Sequence, residues 1–184
     1  MGNYLRSHTA FRIVAFAILI LNLQFGIGPQ SGATDMDAGC KRIIIVDDSE
    51  IYRAGLRALI NGHDQLRVVA EAECGDKAIE AIKKIPADLV LLDLSLPKYT
   101  GFEVLRRIRE ISDINVLVLT IYESQEMITR AKALGAQGYC VKDVSRKELI
   151  KSILEAAAGK FFVCHKSEMV LIFEDSTKPP QSET

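Results

Sequence analysis

Five polar residues, each at the end of a short apolar run, are the part of this sequence best suited to chemistry. They are three aspartates, a threonine and a lysine: Asp47, Asp48, Asp93, Thr120 and Lys142. Carboxylates supply the hard oxygen ligands that a divalent metal prefers, whereas a hydroxyl and an ammonium can donate hydrogen bonds to phosphoryl oxygens. The combination predicts a site for a divalent metal and a phosphoryl group, with Mg²⁺ as the natural candidate for the metal.

The apolar runs that precede these polar residues are typical of buried β-strands. They cover residues 43–46, 89–92, 116–119 and 139–141. Strands that are buried on both faces read as nearly continuous apolar runs, as these do. Because α/β sheets bind ligands in the crevice outside the carboxyl ends of their strands, the five polar side chains are expected to meet at one edge of a sheet.

The segments between the strands have helical periodicity. A helix is predicted after Ser49 as its N-cap, with Ile51, Ala54, Ala58 and Leu59 on one apolar face. Further helices are predicted over residues 76–85, after position 101, over 127–134 and over 145–157, and residues 66–72 are predicted to form a second strand. Five alternating strand and helix units predict a doubly wound α/β fold, with a five-stranded parallel sheet covered by helices on both faces.

The chemistry follows from the groups at the strand ends. Adjacent Asp47 and Asp48 repel each other unless a cation neutralises them, which favours the metal. Asp93 is the predicted nucleophile, because a carboxylate can form an aspartyl phosphate. Lys142 can offset the phosphoryl charge, and the Thr120 hydroxyl can donate to a phosphoryl oxygen. Taken singly, each residue has an ordinary explanation, such as a helix cap or a solvated side chain. All of them in this order favour a phospho-acceptor.

Four motifs of the sequence resemble the receiver domain of bacterial response regulators, a CheY-like family. They are IVDDS at residues 45–49, LLDLSLP at 91–97 followed by Gly101, LT at 119–120 and GYCVKD at 138–143. The resemblance covers residues 41–160. It implies a flavodoxin-like sheet with strand order 2-1-3-4-5 and a site at the switch point between the first and third strands.

The resemblance also implies a role for each site residue. Asp93 would accept phosphate from the phosphohistidine of a sensor histidine kinase or phosphotransfer protein in a two-component phosphorelay. Asp48, Asp93 and the backbone carbonyl of Ser95 would hold Mg²⁺, and Asp47 would assist through water. The chain would then be a phospho-acceptor signalling domain that assists its own phosphorylation and dephosphorylation, and not an enzyme.

Thr120 and Tyr139 would form the switch pair of such a domain. The resemblance implies that the threonine hydroxyl moves to the phosphoryl group while the aromatic ring turns inward. This movement would remodel the face made by the fourth helix, the fifth strand and the fifth helix, so that a local charge event biases a two-state element.

In finer detail, the sequence is most similar to the nitrate-regulator (NarL/FixJ) subfamily. The similar segments are YRAGLR at 52–57, LTIY at 119–122 and VKD at 141–143. One departure from most receivers is Asp143, which stands where a proline usually follows the lysine. A second departure concerns the C-terminal helix-turn-helix domain that this subfamily usually carries, because three helices with their turns need about 50 residues. Residues 161–184 form only a short tail.

The tail contains a second apolar run at residues 169–173. Three interpretations remain open: the run packs on the domain, it covers a dimer face, or it is scrambled sequence from a truncated gene. A truncated DNA-binding transcriptional regulator is therefore the main alternative for the biological role. A Mg²⁺-dependent aspartyl phosphatase of the haloacid-dehalogenase type is less favoured, because Ser95 stands where that family carries its acid/base aspartate. A receiver shape that has lost phospho-acceptance would lack a key residue, and none is missing.

Composition and charge limit the partners. The formal net charge is −1, which argues against unspecific attraction to nucleic acid, so direct DNA binding by this chain alone is not expected. Arg106, Arg107 and Arg109 lie near Glu103 and Glu110, which predicts a mixed solvated face. Output is expected through protein contacts, including a homodimer.

The cysteines at 40, 74, 140 and 164 show neither disulfide nor zinc spacing, and the histidines at 8, 63 and 165 fall outside the cluster of polar residues at the strand ends.

Residues 1–40 form a leader that carries an apolar run at 13–21 behind Arg6 and Arg12. A basic flank and a short apolar stretch are typical of a signal peptide, and the run is marginal for a spanning helix of about 20 residues. Alternatively, the protein begins at Met36 and the leader is a mis-annotated start. We favour the second interpretation and a cytoplasmic domain, with membrane association only if the leader is real.

Overall fold

The structure, a computed structural model, describes residues 39–164 and 169–171. Its strands are β1 (Lys41–Val46), β2 (Leu66–Ala72), β3 (Leu89–Leu92), β4 (Asn115–Thr120), β5 (Gly138–Val141), β6 (Phe162–Cys164) and β7 (Met169–Leu171). Its helices are α1 (Glu50–Asn61), α2 (Gly75–Lys84), α3 (Gly101–Arg109), α4 (Gln125–Ala133) and α5 (Arg146–Ala157). Strands and helices alternate from β1 to β6, as the periodicity predicts.

The strands form one sheet in the order β2-β1-β3-β4-β5-β6-β7. Strands β1 to β6 are parallel to their neighbours, and β7 runs antiparallel to β6. The predicted order 2-1-3-4-5 is therefore confirmed for the first five strands.

The predicted count of five strands is wrong, because the sheet continues into the segment predicted to be a tail. Strand β6 pairs with β5, with Gly138 opposite Phe162 and Cys140 opposite Cys164. The three side chains of β6 are apolar or sulfur-bearing and are buried, so pairing removes them from water and covers the edge of β5. The first three residues of the apolar run at 169–173 form β7, and residues 172 and 173 lie outside the described part of the chain.

Two apolar clusters cover the two faces of the sheet. Along β1, Ile43 and Ile45 point to one face and Ile44 and Val46 point to the other, as the two-residue period of a strand requires. The first face packs against α1 and α5, and the second against α2, α3 and α4. Burial on both sides explains why residues 43–46 of β1, 89–92 of β3 and 116–119 of β4 are continuously apolar.

Helix α1 begins directly after the first aspartate pair, and its start is fixed by a cap. The Ser49 hydroxyl accepts a hydrogen bond from the Tyr52 N–H at 3.3 Å. Such a cap typically contributes about 1 kcal/mol. The predicted N-cap Ser49 is confirmed, and α5 begins with a capping box between Ser145 and Glu148.

The predicted apolar face of α1 needs correction, because Leu59 packs against the core but Ile51 and Ala58 do not. Ile51 is 60% exposed and Ala58 is exposed, whereas Leu56 and Ile60 are buried. Apolar residues occur on two overlapping faces of this helix, so periodicity alone does not select its rotation. Packing against β1 and β2 selects the face that Leu56 and Ile60 share with Tyr52, at a spacing of four residues.

The predicted solvated face of α3 also needs correction at one position. Arg106 pairs with Glu110 at 2.5 Å, and Arg107 pairs with Asp76 at 2.9 Å, as expected for surface side chains. Arg109 instead turns toward the protein, where its guanidinium donates to the carbonyl oxygens of Ser112, Ile114 and Gly135 and to Gln137 Oε1. These acceptors lie in the segments that lead into β4 and β5, which a charge pattern along one helix cannot reveal.

The leader, including the apolar run at 13–21, lies outside the described residues. Within residues 39–164 and 169–171, none of the helices has the length and apolar character that crossing a bilayer requires. The four cysteines all lie in the described part, and none of them is in a disulfide. Cys140 is fully buried in β5, as predicted for a small hydrophobic residue.

Candidate functional site

The carboxyl ends of β1 and β3 bring two aspartates together. Val46 and Leu92 are partners in the register of these neighbouring strands, so the residues that follow them, Asp47 and Asp93, lie side by side. The Asp93 N–H donates to the Val46 carbonyl oxygen at 2.9 Å and continues the strand pairing. Only 2% of Asp47 and 4% of Asp93 is exposed, which is rare for carboxylates unless they are paired or bind a metal.

Lys142 is the shared partner of these two carboxylates. Its Nζ lies 2.6 Å from Asp47 Oδ2 and 2.7 Å from Asp93 Oδ2, and its side chain is only 4% exposed. The lysine reaches the pocket because it follows β5, whose carboxyl end lies at the same edge of the sheet. The structure thus brings together three residues that are separated by 46 and 49 positions in the sequence.

Backbone amides hold the second oxygen of each buried carboxylate. Asp47 Oδ1 accepts from the Ser49 N–H at 2.9 Å, and Asp93 Oδ1 accepts from the Ser95 N–H at 3.1 Å. Burial raises the pKa of the Asp47 carboxyl above its ordinary value, although the Lys142 ammonium acts in the opposite direction. A further cation in the pocket would favour the ionised form, because it would offset the cost of burying that charge.

The three aspartates form a possible ligand set for one metal ion. A carboxylate oxygen from each of Asp47, Asp48 and Asp93 lies within 4.8 Å of the other two. Asp48 is exposed, so the pocket is open to solvent on its side. Three ionised carboxylates and one ammonium leave a charge of −2, which one divalent cation balances, and carboxylate oxygens are the ligands that Mg²⁺ prefers. The donor set therefore fits Mg²⁺.

Ser95 lies at the site through its backbone, as the Ser95 N–H contact with Asp93 shows. Its carbonyl oxygen as a metal ligand stays a prediction. The residue that follows Lys142, Asp143, is exposed and joined to it by a trans peptide bond.

Thr120 ends β4 and is fully buried beside the lysine. The Lys142 N–H donates to the Thr120 carbonyl oxygen at 2.7 Å, so β4 and β5 are joined directly below the pocket. The threonine hydroxyl accepts a long hydrogen bond from the Tyr122 N–H at 3.4 Å. A bond of this length is weak, which leaves the hydroxyl able to exchange it for another acceptor or donor.

Tyr139 is completely buried, so its ring already occupies the inward position that the resemblance assigns to the switched state. Its hydroxyl donates to the Tyr122 carbonyl oxygen at 2.8 Å and lies 3.8 Å from Met127 Sδ. Burial raises the pKa of Tyr139 to about 12, with Glu123 adding to the effect. The backbone of Tyr122 therefore contacts both predicted switch residues, a link that sequence reasoning missed.

Gly101 has a structural reason to be glycine in the motif that contains Asp93. A Cβ atom at this position would lie 2.3 Å from the Asp93 carbonyl oxygen and 2.5 Å from Leu94 Cα. Backbone atoms cannot move aside cheaply, so a side chain here would displace the segment that carries the acceptor. The start of α3 thus rests directly on the loop after β3.

Two residues of α1 contact the pocket, and sequence reasoning assigned neither of them to it. The Arg53 guanidinium donates to the Asp47 carbonyl oxygen at 2.7 Å. The ring centroid of Tyr52 lies 4.3 Å from Lys142 Nζ, which places the aromatic face against the ammonium. The only signal in the sequence was that both residues belong to segment 52–57, which is similar to the nitrate-regulator subfamily.

Comparisons with known proteins indicate the family of the chain. The family profile described as response regulator receiver domain matches residues 43–154. The transcriptional regulatory protein DegU of Brevibacillus brevis is 32% identical over 134 residues, which cover 72% of this chain and 57% of that protein. The nitrate/nitrite response regulator protein NarL of Escherichia coli is 34% identical over 130 residues, covering 70% of this chain and 60% of that protein.

A solved structure gives the same result. The signal receiver domain of the putative response regulator NarL from Mycobacterium tuberculosis superposes with a TM-score of 0.63 at 30% identity, and the match covers 66% of this chain and 98% of that one. This chain spans little more than half the length of the curated relatives that it matches. The family match extends over more than half of the chain and includes every residue of the aspartate and lysine pocket. The chain therefore belongs to the response regulator receiver domain family of two-component systems.

Proposed function

We propose that Asp93 accepts a phosphoryl group from the phosphohistidine of a sensor histidine kinase or phosphotransfer protein. The observation that carries the proposal is the buried Asp93 carboxylate, which shares the Lys142 ammonium with Asp47 and lies beside Asp48. An oxygen of Asp93 forms a bond to phosphorus while the bond from phosphorus to the donor nitrogen breaks. The imidazole leaves with the electron pair of that bond, so the transfer needs no further reactant.

Asp47, Asp48 and Asp93 are the residues that would hold Mg²⁺, together with the Ser95 carbonyl oxygen. When bound, the ion neutralises charge on the carboxylates and on the phosphoryl oxygens. The protein itself contributes a rigid acceptor, since the Ser95 N–H holds one oxygen of Asp93 and the strand pairing holds its backbone.

Lys142 and Thr120 are the residues that would contact the phosphoryl group. The lysine ammonium already lies 2.7 Å from Asp93 Oδ2, so it is close enough to stabilise the negative charge on the oxygens of a phosphoryl group that Asp93 accepts. The threonine hydroxyl would exchange its 3.4 Å contact with the Tyr122 N–H for a phosphoryl oxygen. These contacts assist phosphorylation and its reversal, so the chain acts as a signalling domain and not as an enzyme with a separate substrate.

Switching would then spread from Thr120 through Tyr122 to Tyr139. A shift of the threonine hydroxyl changes one backbone contact of Tyr122, whose carbonyl oxygen accepts from the Tyr139 hydroxyl. Exposed Ile121 and Tyr122 lie in the same loop, at 46% and 41% exposure. We expect output through protein contacts on this surface and on α4 and α5, including a homodimer.

Phosphate incorporation tests the proposal. The full chain is incubated with Mg²⁺ and acetyl phosphate, and intact mass is followed over time. One added phosphate that hydroxylamine removes is expected for an acyl phosphate on Asp93. Asp93→Asn should abolish it, whereas Asp88→Asn, which changes an aspartate at the opposite edge of the sheet, should leave it unchanged. Equal incorporation in Asp93→Asn would overturn the assignment.

A second candidate is the receiver part of a DNA-binding transcriptional regulator. Two observations favour it: relatives are named as transcriptional regulatory proteins, and this chain spans 57% of the length of the first of them. Because low salt maximises electrostatic affinity for DNA, a mobility shift with phosphorylated protein at low salt tests whether this chain binds DNA by itself. We expect no sequence-specific shift, since the net charge is −1.

A further inference from the structure

The Lys142 ammonium contacts an aromatic ring as well as two carboxylates. Its Nζ lies 2.6 Å from Asp47 Oδ2, 2.7 Å from Asp93 Oδ2 and 4.3 Å from the ring centroid of Tyr52. At this distance the negative face of the ring attracts a cation, and the attraction is stronger where water is excluded. The lysine side chain is 4% exposed, so its contact with the ring is almost dry.

The ring is held in place by the start of α1. The Tyr52 N–H donates to the capping hydroxyl of Ser49, whose own N–H donates to Asp47. One turn of backbone therefore connects the ring to the carboxylate that it faces across the lysine. Arg53, the next residue, donates to the Asp47 carbonyl oxygen at 2.7 Å and fixes the same turn from outside. Burial raises the pKa of the Tyr52 hydroxyl, which keeps the ring neutral.

We propose that Tyr52 is a positioning residue for phosphoryl transfer, because the face of its ring holds the Lys142 ammonium beside Asp93. The inference rests on the proposed function of Asp93 as a phospho-acceptor. Tyr52 would affect the reaction through its contact with Lys142, without itself touching the phosphoryl group.

The physical need for such a residue comes from the lysine side chain. Lysine carries its charge on a flexible four-carbon stem, so an ammonium at a fixed place requires partners that order it. The two carboxylates order it in the structure, but both belong to the predicted metal site and would turn part of their charge toward a bound cation. The ring is uncharged and takes no part in metal binding. Its attraction for the ammonium therefore persists when the metal and the phosphoryl group arrive.

Two substitutions separate the ring from the hydroxyl. Tyr52→Phe keeps the aromatic face, and Tyr52→Leu keeps an apolar side chain without a π-face. Rates of phosphate incorporation are measured on the full chain with Mg²⁺ over a range of acetyl phosphate concentrations. We expect the maximal rate constant of Tyr52→Leu to fall about 10-fold, which corresponds to about 1.4 kcal/mol in the barrier. Tyr52→Phe should remain within about twofold of wild type.

A matched control removes an aromatic face from another lysine. Lys132 Nζ lies 5.1 Å from the ring centroid of Phe161, which precedes the amino end of β6 and so lies at the edge opposite the pocket. Phe161→Leu should leave the maximal rate constant unchanged. Thermal unfolding of all three variants shows whether a loss of rate merely follows a loss of folded protein.

A spectroscopic measurement reports on the contact independently of the chemistry. Protons on the ε-carbon of Lys142 lie near the face of the ring, so the ring current should shift their NMR resonances upfield in wild type and in Tyr52→Phe. The shift should disappear in Tyr52→Leu and persist in Phe161→Leu.

The outcomes are distinguishable. If wild type takes no phosphate, the proposed function of Asp93 is wrong and the role of Tyr52 falls with it. If wild type takes phosphate and Tyr52→Leu is equally fast, only the role of Tyr52 is wrong. Loss of rate in Tyr52→Phe equal to that in Tyr52→Leu would also overturn it, since the ring face would not be the cause. A slow Tyr52→Leu that lacks the upfield shift, with a fast Tyr52→Phe that retains it, supports the proposal.

Discussion

The parallel sheet has an amino edge, where its strands begin, and a carboxyl edge, where they end, and only the carboxyl edge gathers several charges of one sign. At the amino edge, the Arg109 guanidinium makes five hydrogen bonds to carbonyl and amide oxygens in the segments before β4 and β5. At the carboxyl edge, oxygens of three carboxylates lie within 4.8 Å of one another, and the Lys142 ammonium pairs with two of them, Asp47 and Asp93. A guanidinium with all its donors satisfied ties loops together, whereas an excess of carboxylates creates a demand for a cation.

Charge at the amino edge therefore holds the fold together, whereas charge at the carboxyl edge is available for chemistry. Desolvation lowers the pKa of Arg109, but an arginine stays protonated at all ordinary pH values and its contacts do not change with conditions. The carboxylates at the carboxyl edge can exchange their partners, because a metal ion, a phosphoryl group and the lysine can all contact the same oxygens. Substitutions at the two edges should therefore affect different measurements.

The largest expected effect is on Lys142 at the carboxyl edge. Lys142→Ala removes the ammonium 2.7 Å from the acceptor oxygen, so the rate of phosphorylation by acetyl phosphate should fall about 100-fold. Metal binding should be weakened less or even strengthened, since a competing cation has left the carboxylates. Intact-mass time courses and Mg²⁺ titration measure the two effects. A parallel loss of both would show that lysine and metal act as one unit.

A smaller effect, and one of the opposite kind, is expected at the amino edge. Arg109→Met keeps much of the apolar stem but leaves carbonyl acceptors without their donor, which should lower the free energy of unfolding by about 2 kcal/mol. Phosphorylation per folded molecule should be unchanged. Urea unfolding and intact-mass kinetics on the same preparation test this. A slower phosphorylation rate in fully folded protein would contradict this prediction, because it would show that Arg109 also affects the site at the carboxyl edge.

Tyr139→Phe should have a smaller, pH-dependent effect. Near neutral pH the variant loses the hydrogen bond to Tyr122, worth about 1 kcal/mol of unfolding free energy. The pKa of Tyr139 is about 12 in the folded protein and ordinarily 10, so the unfolded form ionises first. Stability of wild type should therefore fall between pH 10 and 12, and Tyr139→Phe should lack that part of the fall. Identical alkaline curves for the two proteins would contradict the assignment.

The smallest effect is expected for an exposed ion pair at the amino edge. Asp88 accepts from the Arg42 backbone at 2.7 Å and from its side chain at 3.1 Å, and Arg42 holds the pKa of Asp88 below its ordinary value. Because a lowered carboxyl pKa stabilises the fold above that ordinary value, the contribution should disappear as the solution is acidified. Asp88→Asn should cost less than about 1 kcal/mol at neutral pH and nothing at low pH. Chemical unfolding at the two pH values measures it.

The sequence predicted most of the fold and the members of the pocket. Continuous apolar runs showed where β1, β3, β4 and β5 lie, because burial on both faces leaves no room for polar residues. Their polar ends, Asp47, Asp93, Thr120 and Lys142, could be assigned to one site since parallel strands end at the same edge. The cap at Ser49 was predictable because capping depends on a few neighbouring residues.

The rotation of α1, the inward turn of Arg109 and the sixth and seventh strands could not be predicted. Each depends on a surface supplied by a distant part of the chain: β1 and β2 for the helix, the loops before β4 and β5 for the arginine, and the open edge of β5 for β6. Local periodicity allows two rotations of α1, and no feature within α3 distinguishes an inward arginine from a solvated one.

The sequence by itself therefore determined which groups are present for chemistry and at which edge of the sheet they lie. Local sequence patterns were sufficient for this, because they indicate strand burial and strand direction. Only the tertiary structure decided how these groups are partnered. It placed one ammonium between Asp47 and Asp93, set the Tyr52 ring against it and linked Thr120 to Tyr139 through the backbone of Tyr122. Such contacts are set by packing at a scale of a few ångströms between residues far apart in the chain, which no pattern along the sequence specifies.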